Sequence, residues 1–225
     1  MLKAQHPDYE LAQMGIHARR GVSCGECHMP FVEEVERGYN NHHIQSPLAM
    51  INKTCQSCHR ESEEELRQDV YTRQNKVMEL RNHVEKELVK AHIEAKCAWD
   101  RGATESQMQP ALKLLRSAQW RWDFAVASHG AAFHAPQEVV RILGDGLYKT
   151  MQARMIIRNV LDKHGYGGEV PIPDLSTKEK AQKYIGLDIR SEMAAKDEFL
   201  KTVIPEWIEE AKANKRFIEE YGVAK

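Results

Sequence analysis

The sequence predicts a mainly α protein whose N-terminal third is irregular. Three observations carry that expectation. Residues 61–99 contain neither Gly nor Pro and place apolar side chains at helical spacing. Helix-start signals recur further along, at Ser62, Thr104, Pro136 and Ser176. Residues 1–60, in contrast, are punctuated by Gly, Pro, Asn and Ser and show little apolar periodicity, so they cannot build an ordinary core.

The elements follow in order. The first third, 1–60, includes "GIHARRGVSCGECHMP" and "GYNNHHIQSP", and no stretch of the chain alternates convincingly as a strand. Ser62 with Glu65 reads as a capping box, and Leu66, Val70, Val77, Leu80, Val84, Leu88 and Ala95 form one stripe. An unbroken helix over 61–99 would be roughly 55 Å long, and such a helix packs along another, in this chain or in a partner. "DRGATESQMQP" interrupts the pattern. A second helix should start near Thr104 and run through Trp120 and Trp122 toward Ala132. Pro136 suits the first turn of a third helix over 136–163, and "HGYGGEVPIPD" reads as a loop. Ser176 with Glu179 reads as a further capping box, and Pro205 should divide that last helical stretch from a short terminal helix. The expected division is therefore a segment at 1–60 and a long-helix domain at 61–225.

Bulk properties narrow the function classes. The chain has 225 residues and a net charge of −1, so no nucleic-acid partner or anionic membrane surface is indicated. Charged residues make up 29% and the mean hydropathy is −0.60, with no apolar run long enough to span a bilayer. The start "MLKAQHPDYE" does not read as a secretory signal.

The chemistry lies in Cys and His. Cys24, Cys27, Cys55 and Cys58 form two CxxC units, and Cys97 stands apart as a small residue suited to burial. An odd count argues against a pure disulfide framework. There are 11 histidines, and His6, His17, His28, His42, His43 and His59 fall within the first 59 residues. His follows directly on each pair, in "CGECH" at 24–28 and "CQSCH" at 55–59. Two thiols two residues apart can add to the two vinyl groups of haem, with the next His placed to ligate iron, so C-x-x-C-H is the haem c attachment signature. A zinc ribbon normally has a closer spacing than the 27 residues between Cys27 and Cys55, and it gives no reason for the two histidines. A thioredoxin-like redox pair needs a βαβ setting that is missing. Haem would also supply the apolar bulk that residues 1–60 lack. Two haems need further axial ligands, for which His17, His42, His43, His129 and His134 are candidates. On one helix His129 and His134 would point about 140° apart and could not share an iron. His83, His92 and His164 read as solvated.

The stretches "LKAQHPDYE", "GIHARRGVSCGECHMP", "NNHHIQSP", "CQSCH", "WRWDFAVASHGAAFHAP" and "PIPDLSTKEKAQ", in that order, resemble the C-terminal half of ammonia-forming cytochrome c nitrite reductase, a pentahaem enzyme family. The resemblance covers essentially the whole chain. It implies a multihaem cytochrome c in which Cys24, Cys27 and His28 make the fourth haem site and Cys55, Cys58 and His59 the fifth. It assigns His134 as the distal ligand of the fourth haem and His17 of the fifth. His43 matches the distal ligand of the second haem, which this chain does not attach, and His129 has no ligand role. His6 matches the active-site histidine that hydrogen-bonds substrate. Lys3, through its carbonyl, and Gln5, through its side-chain oxygen, match calcium ligands, as an oxygen-seeking cation requires. Implied partners are nitrite, a second copy paired through the long helices, and a quinol-linked electron donor, all in the periplasm.

The sequence also departs from that family. It contains no CxxCK, the catalytic haem motif, and neither the second nor the third CxxCH. The substrate-pocket arginine and tyrosine, the other calcium ligands and the export signal belong to a missing N-terminal half. The expectation is a C-terminal piece that is inactive by itself. Three classes stay open: part of a nitrite reductase, a stand-alone dihaem electron carrier, or a haem-free helical or zinc-binding remnant.

Overall fold

The computed structural model describes residues 7–34 and 37–216. It is mainly α-helical, and its contacts divide it into two compact units, Met1–Val170 and Pro171–Lys225.

The first unit is built on three long helices, α4 (Glu63–Asp100), α5 (Glu105–Ala127) and α7 (Pro136–Lys163), each packed on the other two. Their starts are where local chemistry puts them. Ser62 and Thr104 each close a capping box, with Glu65 and Gln107, and Pro136 opens α7. Helix α4 has 38 residues and is about 57 Å long. Its expected stripe is buried, with Leu80 partly so, and it packs within the chain: Val84, Leu88 and Ala91 meet Ala111, Leu115 and Ala118 of α5 and Val139, Leu143, Ala153 and Ile157 of α7 in one core. The small alanines let the helix axes approach, and each fully buried Val, Leu or Ile contributes about 1.5–3 kcal/mol. Between α4 and α5, Gly102 sits at φ +85°, a left-handed conformation that closes the helix end at little cost to glycine. Arg154 of α7 spans to α4, donating to Glu94 at 2.9 Å and also pairing with Glu87.

Helix α5 ends at Ala127, short of the expected Ala132. An elbow at Ser128–Gly130 separates it from a single turn, α6 (Ala131–His134). Asp8 makes the elbow: its carboxylate accepts from the Ser128 hydroxyl at 2.6 Å and from the Gly130 N–H at 2.9 Å, a backbone donor that a longer helix would have paired internally.

The N-terminal part of this unit carries three short helices, α1 (Asp8–Met14), α2 (Ile16–Arg19) and α3 (Cys24–His28). It also holds a hairpin that the sequence pattern did not disclose, β1 (Phe31–Glu34) paired antiparallel with β2 (Arg37–Asn40), Val32 opposite Tyr39. The Phe31 ring lies over Gly38, where a Cβ would come within 2.1 Å of it and the exposed ring would have to move aside.

The second unit contains α8 (Lys178–Tyr184) and α9 (Ile189–Ala213). Thr177, not Ser176, caps α8, its hydroxyl accepting from the Lys180 N–H at 3.3 Å. The break falls at Ile185–Asp188, where Gly186 has φ +72° and Asp188 caps the next helix, while Pro205 lies inside α9 without ending it. Neither helix buries a residue, and Phe199 and Trp207 meet edge to face at 5.5 Å on an exposed surface.

Candidate haem sites

Both CxxCH units fold as helical turns. In α3, Ser23 caps the turn with Glu26, so Cys24, Cys27 and His28, at i, i+3 and i+4, share one face. That face is what a planar ligand needs for two thioether bonds and one axial bond. At the second unit the His59 N–H donates to the Cys55 carbonyl at 2.9 Å and the Cys58 N–H at 3.1 Å, which gives the same spacing in space. Thr54 anchors this turn by donating to the Met50 carbonyl at 2.9 Å, above buried Ile51. All five cysteines are free thiols. Burial, helped by the charges of Cys55, Glu26, Cys24 and Cys58, pushes the Cys27 thiol above its ordinary value.

Each CxxCH histidine faces a second imidazole. His28 and His134 have ring centroids 6.1 Å apart, and His59 and His17 6.2 Å. A metal–imidazole bond of about 2.0 Å on each side, with roughly 1.1 Å from nitrogen to ring centre, requires about 6.2 Å between two axial rings. The residues present therefore fit haem at both positions. The tautomer fits as well: Nδ1 of His28 meets the Gln45 carbonyl at 2.9 Å, leaving Nε2 for the iron. His17, on α2, stacks on Phe133 at 5.6 Å. His17 and His134 both have lowered pKa values. Burial is the main cause for each. His59 and Arg73 add to it at His17; at His134, His28 and His17 add to it against the opposing charge of Asp8. A neutral imidazole is the form that binds metal.

His134 is held by backbone that admits no side chain. A Cβ on Gly130 would lie 2.3 Å from its ring, and one on Gly15 would lie 1.8 Å from its carbonyl oxygen.

The other candidates stand differently. His42 and His43 are exposed on an irregular segment, the His43 N–H donating to the Asn41 side chain at 2.9 Å. His129 sits exposed in the elbow, so it shares no helix with His134. Lys3, Gln5 and His6 lie outside the described residues. Cys97 is half-buried against the helical core. Among the described residues no three His, Cys, Asp or Glu side chains converge on one point, which is the arrangement a zinc ion would use. Asp8, Phe133, Gly130 and the Gln45 carbonyl serve the sites without any motif of their own.

Two helical CxxCH turns, each opposed by a further imidazole, define the class: a multihaem c-type cytochrome. The chain belongs to the cytochrome c552 family, whose model matches residues 1–216. It is 67% identical over 216 residues to a cytochrome c-552 of Bacteroides fragilis and 48% identical over 213 residues to one of Haemophilus influenzae. Those matches take in 96% and 94% of this chain but 44% and 40% of the relatives, so the chain spans less than half of their length. Among solved structures it is similar to the cytochrome c nitrite reductase catalytic subunit, NrfA, of Desulfovibrio desulfuricans, a protein described with two calcium sites. The TM-score is 0.68 and the identity 29%, over 76% of this chain and 37% of that one. Among the described residues no helix is long and apolar enough to cross a membrane.

Proposed function

We propose that this chain carries two electron-transfer haem sites of a periplasmic, ammonia-forming nitrite reductase. The observation that carries this reading is the pair of opposed imidazoles, His28 with His134 and His59 with His17, at the spacing of two axial ligands. Haem c held there, with both axial positions filled, supplies one-electron transfer and leaves no position for substrate. Cys24 and Cys27 hold one macrocycle, Cys55 and Cys58 the other.

Nitrite reduction to ammonia takes nitrogen from +3 to −3, so six electrons must reach one open site. No CxxCK motif for such a site occurs in this sequence. The catalytic haem is therefore supplied by the part of the enzyme that this chain does not span, and the chain alone is inactive as a reductase. Within that whole, His6 is the substrate histidine, placed to hydrogen-bond the anion and pass protons. Lys3 and Gln5 offer oxygens to calcium. His43, exposed here, is free to ligate a haem attached elsewhere. A second copy pairs along the long helices: Val140, Tyr148, Met151 and Met155 leave an apolar stripe exposed on α7. Electrons come from a quinol-linked donor.

The test is a pyridine haemochrome assay with metal analysis and electron paramagnetic resonance. The chain would be made with an export signal in a cell that matures c-type haem. Two covalent low-spin haems per chain, with no nitrite reduction, are expected. One haem, zinc in place of haem, or a high-spin site would overturn the assignment of the two relay sites. Turnover of nitrite by the chain alone would overturn its dependence on the rest of the enzyme.

A further inference from the structure

We propose that Asp8 is the positioning residue of the His134 imidazole and, through it, sets the reduction potential of the haem held between His28 and His134. This rests on the reading of His134 as an axial ligand.

Three observations carry the proposal. Nδ1 of His134 is buried and has no hydrogen-bond partner. Oδ1 of Asp8 lies 3.8 Å from it, the oxygen that also accepts from the Ser128 hydroxyl and the Gly130 N–H. Gly130 packs against the ring beside this atom, so closely that a Cβ there would overlap Cε1 and Nδ1. A shift of about 0.9 Å, as the ring seats on a metal, would convert the 3.8 Å approach into an N–H···O⁻ bond. A ligating imidazole almost always gives its second N–H to a carboxylate or carbonyl, and a carboxylate makes it the stronger donor.

The axial histidines differ in that partner. His28 gives Nδ1–H to a neutral backbone carbonyl, that of Gln45. His59 Nδ1 lies 3.7 Å from Glu61, whose side chain is 56% exposed and hence screened by water. Asp8 is held from two sides by the elbow and is the less exposed of the two carboxylates. Anionic character passed to His134 favours the oxidised iron, so this haem should be the lower in potential of the two that the chain holds. Asp8 thus joins α1 to the elbow and tunes one relay site in the same contact.

The experiment is potentiometric titration, with electron paramagnetic resonance, of the haem-loaded chain and its variants. His134→Ala first identifies the site: one haem should turn high-spin while the other keeps its spectrum. Asp8→Asn should then move the midpoint potential of that haem upward and leave the His17–His59 haem unmoved, and Asp8→Glu should restore part of the shift. If His134→Ala leaves both haems low-spin, the ligand reading fails and the proposal with it. If His134→Ala acts as expected but Asp8→Asn moves neither potential, or moves both equally, the ligand reading stands and the role of Asp8 is overturned. Should Asp8→Asn fail to take up haem, Ser128→Ala decides. Relieved of the hydroxyl, the carboxylate turns more fully to His134, and the potential should fall; an unchanged potential would overturn the proposal.

Discussion

The helical core of α4, α5 and α7 and the segment before it obey different rules. The helices bury Val84, Leu88, Met108, Leu115, Val139, Leu143, Ile157 and Leu161 against one another, and the expelled water stabilises them without outside help. Between residues 7 and 60 the buried aliphatic side chains reduce, among the described residues, to Leu11, Val32 and Ile51. That segment is held by short capped turns and by histidines facing histidines. On the proposed reading its apolar bulk comes from two macrocycles held between them. One region is then a core made of sequence, the other a mould shaped around a cofactor.

The sharpest way to break that comparison is to take one macrocycle away. Cys55→Ser with Cys58→Ser should remove one covalent haem per chain and expose residues 47–61 to limited proteolysis, while the far-ultraviolet circular dichroism of the long helices persists. A segment that stays protected without its haem would show that the mould has a core of its own. Leu143→Ala tests the other side. The residue is fully buried, and its truncation should cost about 2–5 kcal/mol in denaturant titrations. The loss should be the same whether or not haem is attached. A loss that appears only in the haem-bound protein would merge the two regions into one.

Next in size is the ion pair across α4 and α7. Arg154→Met leaves Glu87 and Glu94 facing each other half-buried, and should cost about 1–2 kcal/mol after allowance for partial exposure. Burial works against the Glu87 carboxylate, but Lys90 and Arg154 outweigh it and hold its pKa below the usual 4.5. A depressed folded pKa means that this stabilisation is complete above about pH 4.5 and is lost as pH falls through the folded value. Stability curves between pH 3 and 6 should therefore be steeper for the native protein than for the variant. Parallel curves would remove Arg154 as the cause.

The two regions were also unequally legible in the sequence. Helix starts are local events, so Ser62 with Glu65, Thr104 and Pro136 disclosed where α4, α5 and α7 begin. Ends and interruptions that depend on distant partners were not legible. Nothing near Ala127 announces that Asp8, 120 residues earlier than Ser128, will take the elbow's donors. The sequence between β1 and β2, Val35-Glu36, lacks the Asn-Gly or Asp-Gly pair that marks a hairpin, so β1 and β2 gave no signal. Adjacent Ser176 and Thr177 both suit a cap, and pattern alone could not choose between them. At the proposed haem sites the two Cys–His units were plain, because CxxCH is a short contiguous motif. The distal half was not. From spacing alone His17, His42, His43, His129 and His134 were equal candidates, and only the family resemblance separated them. The fold brings His17 to His59 and His134 to His28 through contacts with Phe133 and Gly130 that no local pattern encodes.

The smallest effect sharpens the comparison most finely, because it lies at the far end of the helical core. Thr104 caps α5: its hydroxyl accepts from the Gln107 N–H at 3.4 Å, and its own N–H donates to the Gln107 side chain at 2.8 Å. The same Gln107 oxygen meets Nε2 of His164, the residue that ends α7. Thr104→Ala removes one partner of the box and should cost about 1 kcal/mol, read as a lower denaturant midpoint with an unchanged slope. Because Gln107 bridges two helix ends, Thr104→Ala and His164→Ala should not be additive, with a coupling of about 0.5 kcal/mol in a double-mutant cycle. If the cap belongs to a core made of sequence alone, both values hold equally with and without haem. A cap that weakens when the macrocycles are absent would mean that the mould reaches through the whole unit, and that the long helices, too, are finished by the cofactor.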